Sequence, residues 1–143
     1  MKNIATFALG CFWGPDEYFS KLSGVLSTTV GYTGGIKEKP TYYILGDHTE
    51  SVEIEFNPEK ISYKELLDHF WHEHDPTYKT KTQYKSAIFV HDEEQKKVAE
   101  ESLKNYQGKI SGKIVTEIVP ADTFYNAEDY HQKYLQKNRG AVC

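Results

Sequence analysis

Six residues near the start of the chain, Ile4-Ala5-Thr6-Phe7-Ala8-Leu9, carry no charge and stop at Gly10. A short apolar run bounded by glycine predicts a buried strand, so the chain must build a sheet around it. The period then changes. Pro15-Asp16-Glu17 suits a first helical turn, with proline preset for the helix and acids matched to its dipole. Pro15, Tyr18, Phe19 and Leu22 fall at i, i+3, i+4 and i+7, and Gly24 closes the helix. Cys11 stands at this strand-to-helix junction, flanked by Gly10 and followed by Phe12, Trp13 and Gly14. A cysteine facing the positive end of a helix dipole is biased towards thiolate. Two readings follow: a nucleophile with an apolar pocket beside it, or a buried cysteine closing a core strand.

The remaining pattern alternates in the same way. Val25–Val30 is rich in β-branched residues and predicts a second strand. Residues 31–50 hold enough glycine and proline to predict a loop. Val52, Ile54 and Phe56 alternate with polar neighbours, as in a strand with one buried face. Ser62 and Glu65 make a capping box, and Tyr63, Leu66, Leu67, Phe70, Trp71 and His74 keep helical spacing up to Asp75-Pro76. A strand is expected at Ala87–Val90, a helix over Glu93–Gln107, and a strand over Lys113–Val119. Ala127, Tyr130, His131 and Tyr134 predict a fourth amphipathic helix. The order β-α-β-β-α-β-α-β-α predicts an α+β protein, a ferredoxin-like two-layer α/β sandwich with a mostly antiparallel mixed sheet. The 143 residues are expected to form a single catalytic domain, 1–143, with residues 138–143 as a mobile, loop-like tail.

Composition excludes several classes of function. A formal net charge of -4 leaves no basic footprint for nucleic acid. No stretch is long enough for a membrane span. The start to Trp13 resembles a short signal peptide, and Ala8-Leu9-Gly10-Cys11 hints at a lipoprotein site. The apolar run is too brief, however, and passes straight into a helix start, so a cytoplasmic protein is expected. Two cysteines, Cys11 and Cys143, do not make a secreted disulfide framework.

A Cys-based phosphatase would place arginine six residues after the cysteine, where this chain has Glu17. A thiol hydrolase would need a histidine, and His48 and His131 are the candidates. Thiol redox chemistry would use Cys143: a sulfenic acid on one thiol condenses with a second thiol to a disulfide. A terminal cysteine with no role is the alternative. Glu50 fits either a solvated loop acid or a proton donor whose pKa rises in an apolar setting. Tyr42 and Tyr84 lie in loops, either presenting hydroxyls to a cleft or filling surface and core. The spacing in His69-Phe70-Trp71-His72-Glu73-His74 does not match a zinc site, and no metal is expected.

Gly10-Cys11-Phe12-Trp13-Gly14, with Glu17 and Phe19, resembles the signature of the peptide methionine sulfoxide reductase A family. So, in order, do Gly31–Gly35, Pro40-Thr41-Tyr42, His48-Thr49-Glu50, Phe70-Trp71, His74-Asp75-Pro76, Thr82–Ser86 and Phe124–Leu135. The resemblance implies that Cys11 attacks the sulfur of methionine S-sulfoxide, free or in oxidised proteins. It implies that Phe12 and Trp13 wall a pocket for the methyl group. Glu50 would protonate the oxygen with help from the Tyr42 and Tyr84 hydroxyls. Cys143 would then form a disulfide with Cys11, and thioredoxin or a dithiol would reduce it without a cofactor. The sequence departs from the pattern in two shortened loops, between Tyr42 and Glu50 and between Pro76 and Thr82, the second lacking the usual glycine- and aspartate-containing insert. The alternatives are another Cys-dependent enzyme, a thiol hydrolase, and a non-catalytic methionine-binding module.

Overall fold

A computed structural model describes residues 3–138. The uncharged run forms β1, Ile4–Leu9, buried along nearly its whole length. It pairs antiparallel with β3, Thr49–Phe56, on one side and with β4, Ser86–Val90, on the other. With α1 (Trp13–Ser20), β2 (Val25–Thr33) and α2 (Tyr63–His72), these strands give the order β1-α1-β2-β3-α2-β4. Helix α3 (Glu93–Gln107) follows, then β5 (Glu117–Pro120), β6 (Tyr125–Asn126) and α4 (Tyr134–Lys137). The sheet runs β5-β4-β1-β3-β2-β6, antiparallel except for the parallel pair β4–β5. The protein is therefore mixed α+β, with β1 central.

Phe7 shows why β1 anchors the core. Its ring lies 5.9 Å from Phe19 of α1 and 5.0 Å from Phe70 of α2. Helix α2 begins at the expected capping box, Ser62 accepting from the Glu65 N–H and Glu65 from the Ser62 N–H. It buries Leu66, Leu67, Phe70 and Trp71, each contributing about 1.5–3 kcal/mol. The Trp71 Nε1–H donates to Ser102 Oγ at 2.7 Å, fastening α2 to α3. Helix α3 has the expected bounds, with Asp92 capping its start.

Several boundaries differ from expectation. Helix α1 starts at Trp13 rather than Pro15, so Cys11 lies closer to its first turn. Strand β2 continues through Gly31, Tyr32 and Thr33, and β3 starts at Thr49, because these residues pair with one another across the sheet. Gly31 is needed there: a Cβ would lie 2.3 Å from the Tyr125 carbonyl oxygen of β6. Strand β5 covers only Glu117–Pro120, and it contains Pro120, an edge position that proline tolerates.

The expected fourth helix is not one helix. Residues 125–137 form β6, a 3₁₀ turn at Asp129–His131 and the short α4, separated by Lys133 in the left-handed region (φ 55°). Tertiary bonds outbid the helix here. Gln132 Oε1 accepts from the Val30 N–H at 3.0 Å, while its Nε2 donates to the Val30 and Ala127 carbonyls. Fully buried Asp16 accepts from the Lys133 N–H at 2.8 Å and from its Nζ at 2.9 Å. Thr28 Oγ1 completes the cluster, donating to Asp16 at 2.6 Å. The tail expected over residues 138–143 lies, beyond Asn138, outside the described residues.

Candidate active site

The β1–β3 register builds the site. Phe7 pairs with Val52, and Glu50, two residues before Val52 on β3, pairs with Tyr32 of β2. Glu50 has the same parity as Val52 and Ile54, so it faces the core. It is 1% exposed, and it belongs to a strand rather than to the loop that the sequence suggests. Gly10 then turns the chain with φ 97°, a conformation that favours glycine. Half-buried Cys11 follows. The next N–H, that of Phe12, donates to Glu50 Oε1 at 3.2 Å. Gln83 Nε2 donates to Glu50 Oε2 at 2.6 Å. Burial pushes the Glu50 carboxyl above the usual glutamate range, against the pull of these two bonds and of the nearby Lys81 charge. Burial thus favours the protonated form of a carboxyl at the junction carrying the cysteine.

Two tyrosines accompany it. Tyr84, in the 3₁₀ turn Thr82–Tyr84, hydrogen-bonds through its side chain to Tyr42. Burial, the Glu50 charge and that bond push the Tyr84 phenol up to about 12, so it remains a neutral donor. The Tyr42 N–H is held by Glu128 Oε2 at 3.2 Å, and the Tyr32 hydroxyl by Glu128 Oε1 at 2.8 Å. Burial works upward on Glu128, but its own backbone, Tyr32 and Tyr42 outweigh it and hold the carboxyl below the usual range.

The two aromatics after Cys11 differ in their surroundings. Phe12 is buried at 1% exposure, its ring 5.8 Å from Tyr32 and 5.2 Å from His131. Half-buried Trp13 stacks on Tyr134 with ring centres 3.7 Å apart and 7° between planes. The Trp13 Nε1–H donates to His131 Nδ1 at 3.0 Å. His131 is 2% exposed, also packs on Tyr42 at 4.7 Å, and is depressed by burial, so it is neutral.

The structure thus brings Cys11, Phe12, Trp13, Glu50, Tyr42 and Tyr84 into one neighbourhood, while Cys143 lies outside the described residues. Sequence reasoning gave no role to Gln83, Glu128 or Tyr134, and weighed His131 only as a hydrolase base. A helical period read across Tyr130, His131 and Tyr134 concealed the turn that aims His131 at Trp13. The other histidines have separate duties. His48 accepts from the Gly35 N–H and bonds the Lys37 carbonyl, holding a loop. His69 meets Tyr18, His72 bonds Asp68, His74 bonds Phe70 and Ser86, and His91 bonds Thr6. Among the described residues no cluster of His, Cys, Asp and Glu could hold a metal, and no helix is long and apolar enough to cross a membrane.

A sheet centred on an uncharged strand, a cysteine at its exit and a buried carboxyl of raised pKa beside it describe an α+β protein suited to thiol chemistry. The profile of the peptide methionine sulfoxide reductases matches residues 3–143, and the chain belongs to that family. It is 47% identical to a peptide methionine sulfoxide reductase of Methanothermobacter thermautotrophicus, covering 97% of this chain and 89% of that one. A relative from Methanosarcina acetivorans is 50% identical over 93% of this chain and 77% of its own. Methionine sulfoxide reductase A of Corynebacterium diphtheriae superposes with a TM-score of 0.92 at 36% identity, covering 99% of this chain and 77% of that one. Mxr1 from Saccharomyces cerevisiae, solved in complex with Trx2, gives a TM-score of 0.70 at 30% identity, covering 92% of this chain and 83% of its own.

Proposed function

We propose that the methionine sulfoxide reduction of this family is carried in this chain by Cys11 as nucleophile and Glu50 as proton donor. Phe12 and Trp13 receive the substrate methyl group, and the Tyr42 and Tyr84 hydroxyls hold the sulfoxide oxygen. The supporting observation is the 3.2 Å bond from the Phe12 N–H to Glu50, which ties a buried carboxyl to the residue next to the cysteine. The Cys11 thiolate attacks the sulfoxide sulfur. As the S–O bond breaks, the oxygen takes a proton from Glu50 and passes to Cys11 as a sulfenic acid. Methionine leaves reduced by two electrons, and the cysteine is oxidised by two. Cys143 condenses with the sulfenic acid, forming a disulfide and releasing water, and a thioredoxin dithiol returns both thiols. The substrate is the S epimer of methionine sulfoxide, free or in oxidised proteins, and the reading requires no metal or organic cofactor. It treats residues 1–143 as one catalytic domain, supported by the single six-stranded sheet, and places the chain in the cytoplasm, where thioredoxin is maintained.

The hydrolase alternative is disfavoured, because His48 spends both ring nitrogens on loop backbone and His131 spends Nδ1 on Trp13. Cys11→Ser should abolish methionine formation, and retained turnover would sink the assignment. Cys143→Ser should release one equivalent of methionine per chain with thioredoxin and then stop. Repeated turnover in that assay would remove Cys143 from the cycle.

A further inference from the structure

The segment between Asp75 and Tyr84 borders the site and carries charge that the mechanism does not use. A cavity of about 440 Å³ runs from Leu9 and Gly10, the residues before Cys11, past His74, Asp75, Tyr78 and Thr80 to Tyr84. Lys81 follows Thr80, and its Nζ lies 5.0 Å above the centre of the Tyr84 ring. Its charge is felt at Glu50. Among the described residues no carboxylate pairs with Lys81 within ion-pair distance, whereas neighbouring Lys85 is paired with Glu117 at 3.2 Å. Of the neighbouring groups, Glu50 is buried and Tyr42 and Tyr84 are phenols; the Asp75 carboxylate lines the cavity, held ionised by the Thr77 N–H at 3.0 Å and hydroxyl at 2.6 Å, but is not within ion-pair distance of Lys81. An unbalanced ammonium at the rim attracts an anion from the substrate.

We propose that Lys81 is a specificity-determining residue that favours methionine sulfoxide bearing a carboxylate close to the sulfoxide. This inference rests on the reading of the Cys11 site given above. The carboxylate could be the α-carboxylate of the free or terminal amino acid, or the side chain of an adjacent Asp or Glu. Lys81 is solvent-exposed, so the pairing is screened and its effect is modest.

The test compares kcat/KM, with dithiothreitol as reductant at low salt, over matched substrates. N-acetyl-methionine sulfoxide is set against its neutral N-methylamide, and an amide-capped Asp–methionine sulfoxide dipeptide against its Asn counterpart. The expected result is a preference of roughly 2- to 5-fold for the carboxylate member of at least one pair. The pair that shows it identifies the source of the carboxylate. The ratio within a pair cancels any effect of Lys81 on the chemical step common to both members. Lys81→Arg should keep the preference, Lys81→Met should remove it and Lys81→Glu should reverse it. It should fade as salt is raised to about 0.5 M. Ratios near unity in the wild type, or a preference unchanged in Lys81→Met, would overturn the proposal. Failure of the wild type on every substrate, the neutral ones included, would instead overturn the Cys11 assignment.

Discussion

Replacing Glu50 by Gln isolates the proton donor while leaving the shape of the site intact. The amide oxygen can keep the Phe12 N–H bond now made at 3.2 Å, and the Gln83 side chain can turn its own oxygen towards the new NH₂ group. The donated proton is lost, because an amide does not protonate a leaving oxygen. General acid catalysis contributes roughly 10²–10⁴ in rate. Conversion at 1.36 kcal/mol per decade gives a barrier increase of about 3–5 kcal/mol. A single-turnover assay, mixing reduced enzyme with methionine sulfoxide and measuring methionine, reads this step before recycling intervenes. The pH dependence gives a second readout. Burial raises the Glu50 pKa above the usual glutamate range, so the wild-type rate should fall as pH climbs through that raised value. Glu50→Gln should lack that limb. Stability follows the same proton. The folded protein holds it in a range where the unfolded chain has released it, so wild-type stability declines as pH rises from the ordinary glutamate pKa to the raised one. The variant should be flat across that interval. A variant rate within about threefold of wild type, against the decades expected from a general acid, would refute the assignment. So would a large loss of rate with the wild-type alkaline limb intact, since another group would then be supplying the proton.

Two further outcomes follow from the segment that closes over the site. Lys133→Met should cost about 2–4 kcal/mol in urea unfolding, because it strips the ammonium from Asp16, which is fully buried, and leaves only its hydrogen bonds. A loss below about 1 kcal/mol would be the cost of a surface pair, and would show that this cluster does not anchor the segment. His131 accepts from Trp13 only while neutral, and burial holds its pKa below the usual histidine value. Trp13 emission should therefore change only at pH below the usual histidine range. The change should be absent in Trp13→Phe, and its persistence there would assign it to Trp71.

Features with local causes were legible in the sequence. The uncharged run Ile4–Leu9 is strand β1, the Ser62–Glu65 box starts α2, and Glu93–Gln107 is α3 to the residue. Each is set by periodicity, capping or composition within one segment. The cysteine between strand and helix was legible for the same reason, and the motifs spread along the chain pointed to the family. The register of the sheet was not legible. Only the pairing of Thr49, Glu50 and Ser51 with Thr33, Tyr32 and Gly31 turns a presumed loop acid into a buried strand residue. Neither sequence segment carries that information alone. The segment 127–134 failed in the opposite direction. Its helical period is real, but Gln132 and Lys133 find partners on Val30 and Asp16, more than 100 residues away in the chain, and Lys133 adopts a left-handed conformation to reach them. The sequence by itself determined most of the elements, the position of Cys11 and the family. Tertiary structure alone decided which carboxyl is buried beside it, which histidine holds Trp13 and which lysine at the rim has no carboxylate partner among the described residues. Those properties depend on desolvation and long-range hydrogen bonds, which exist only once distant segments have met.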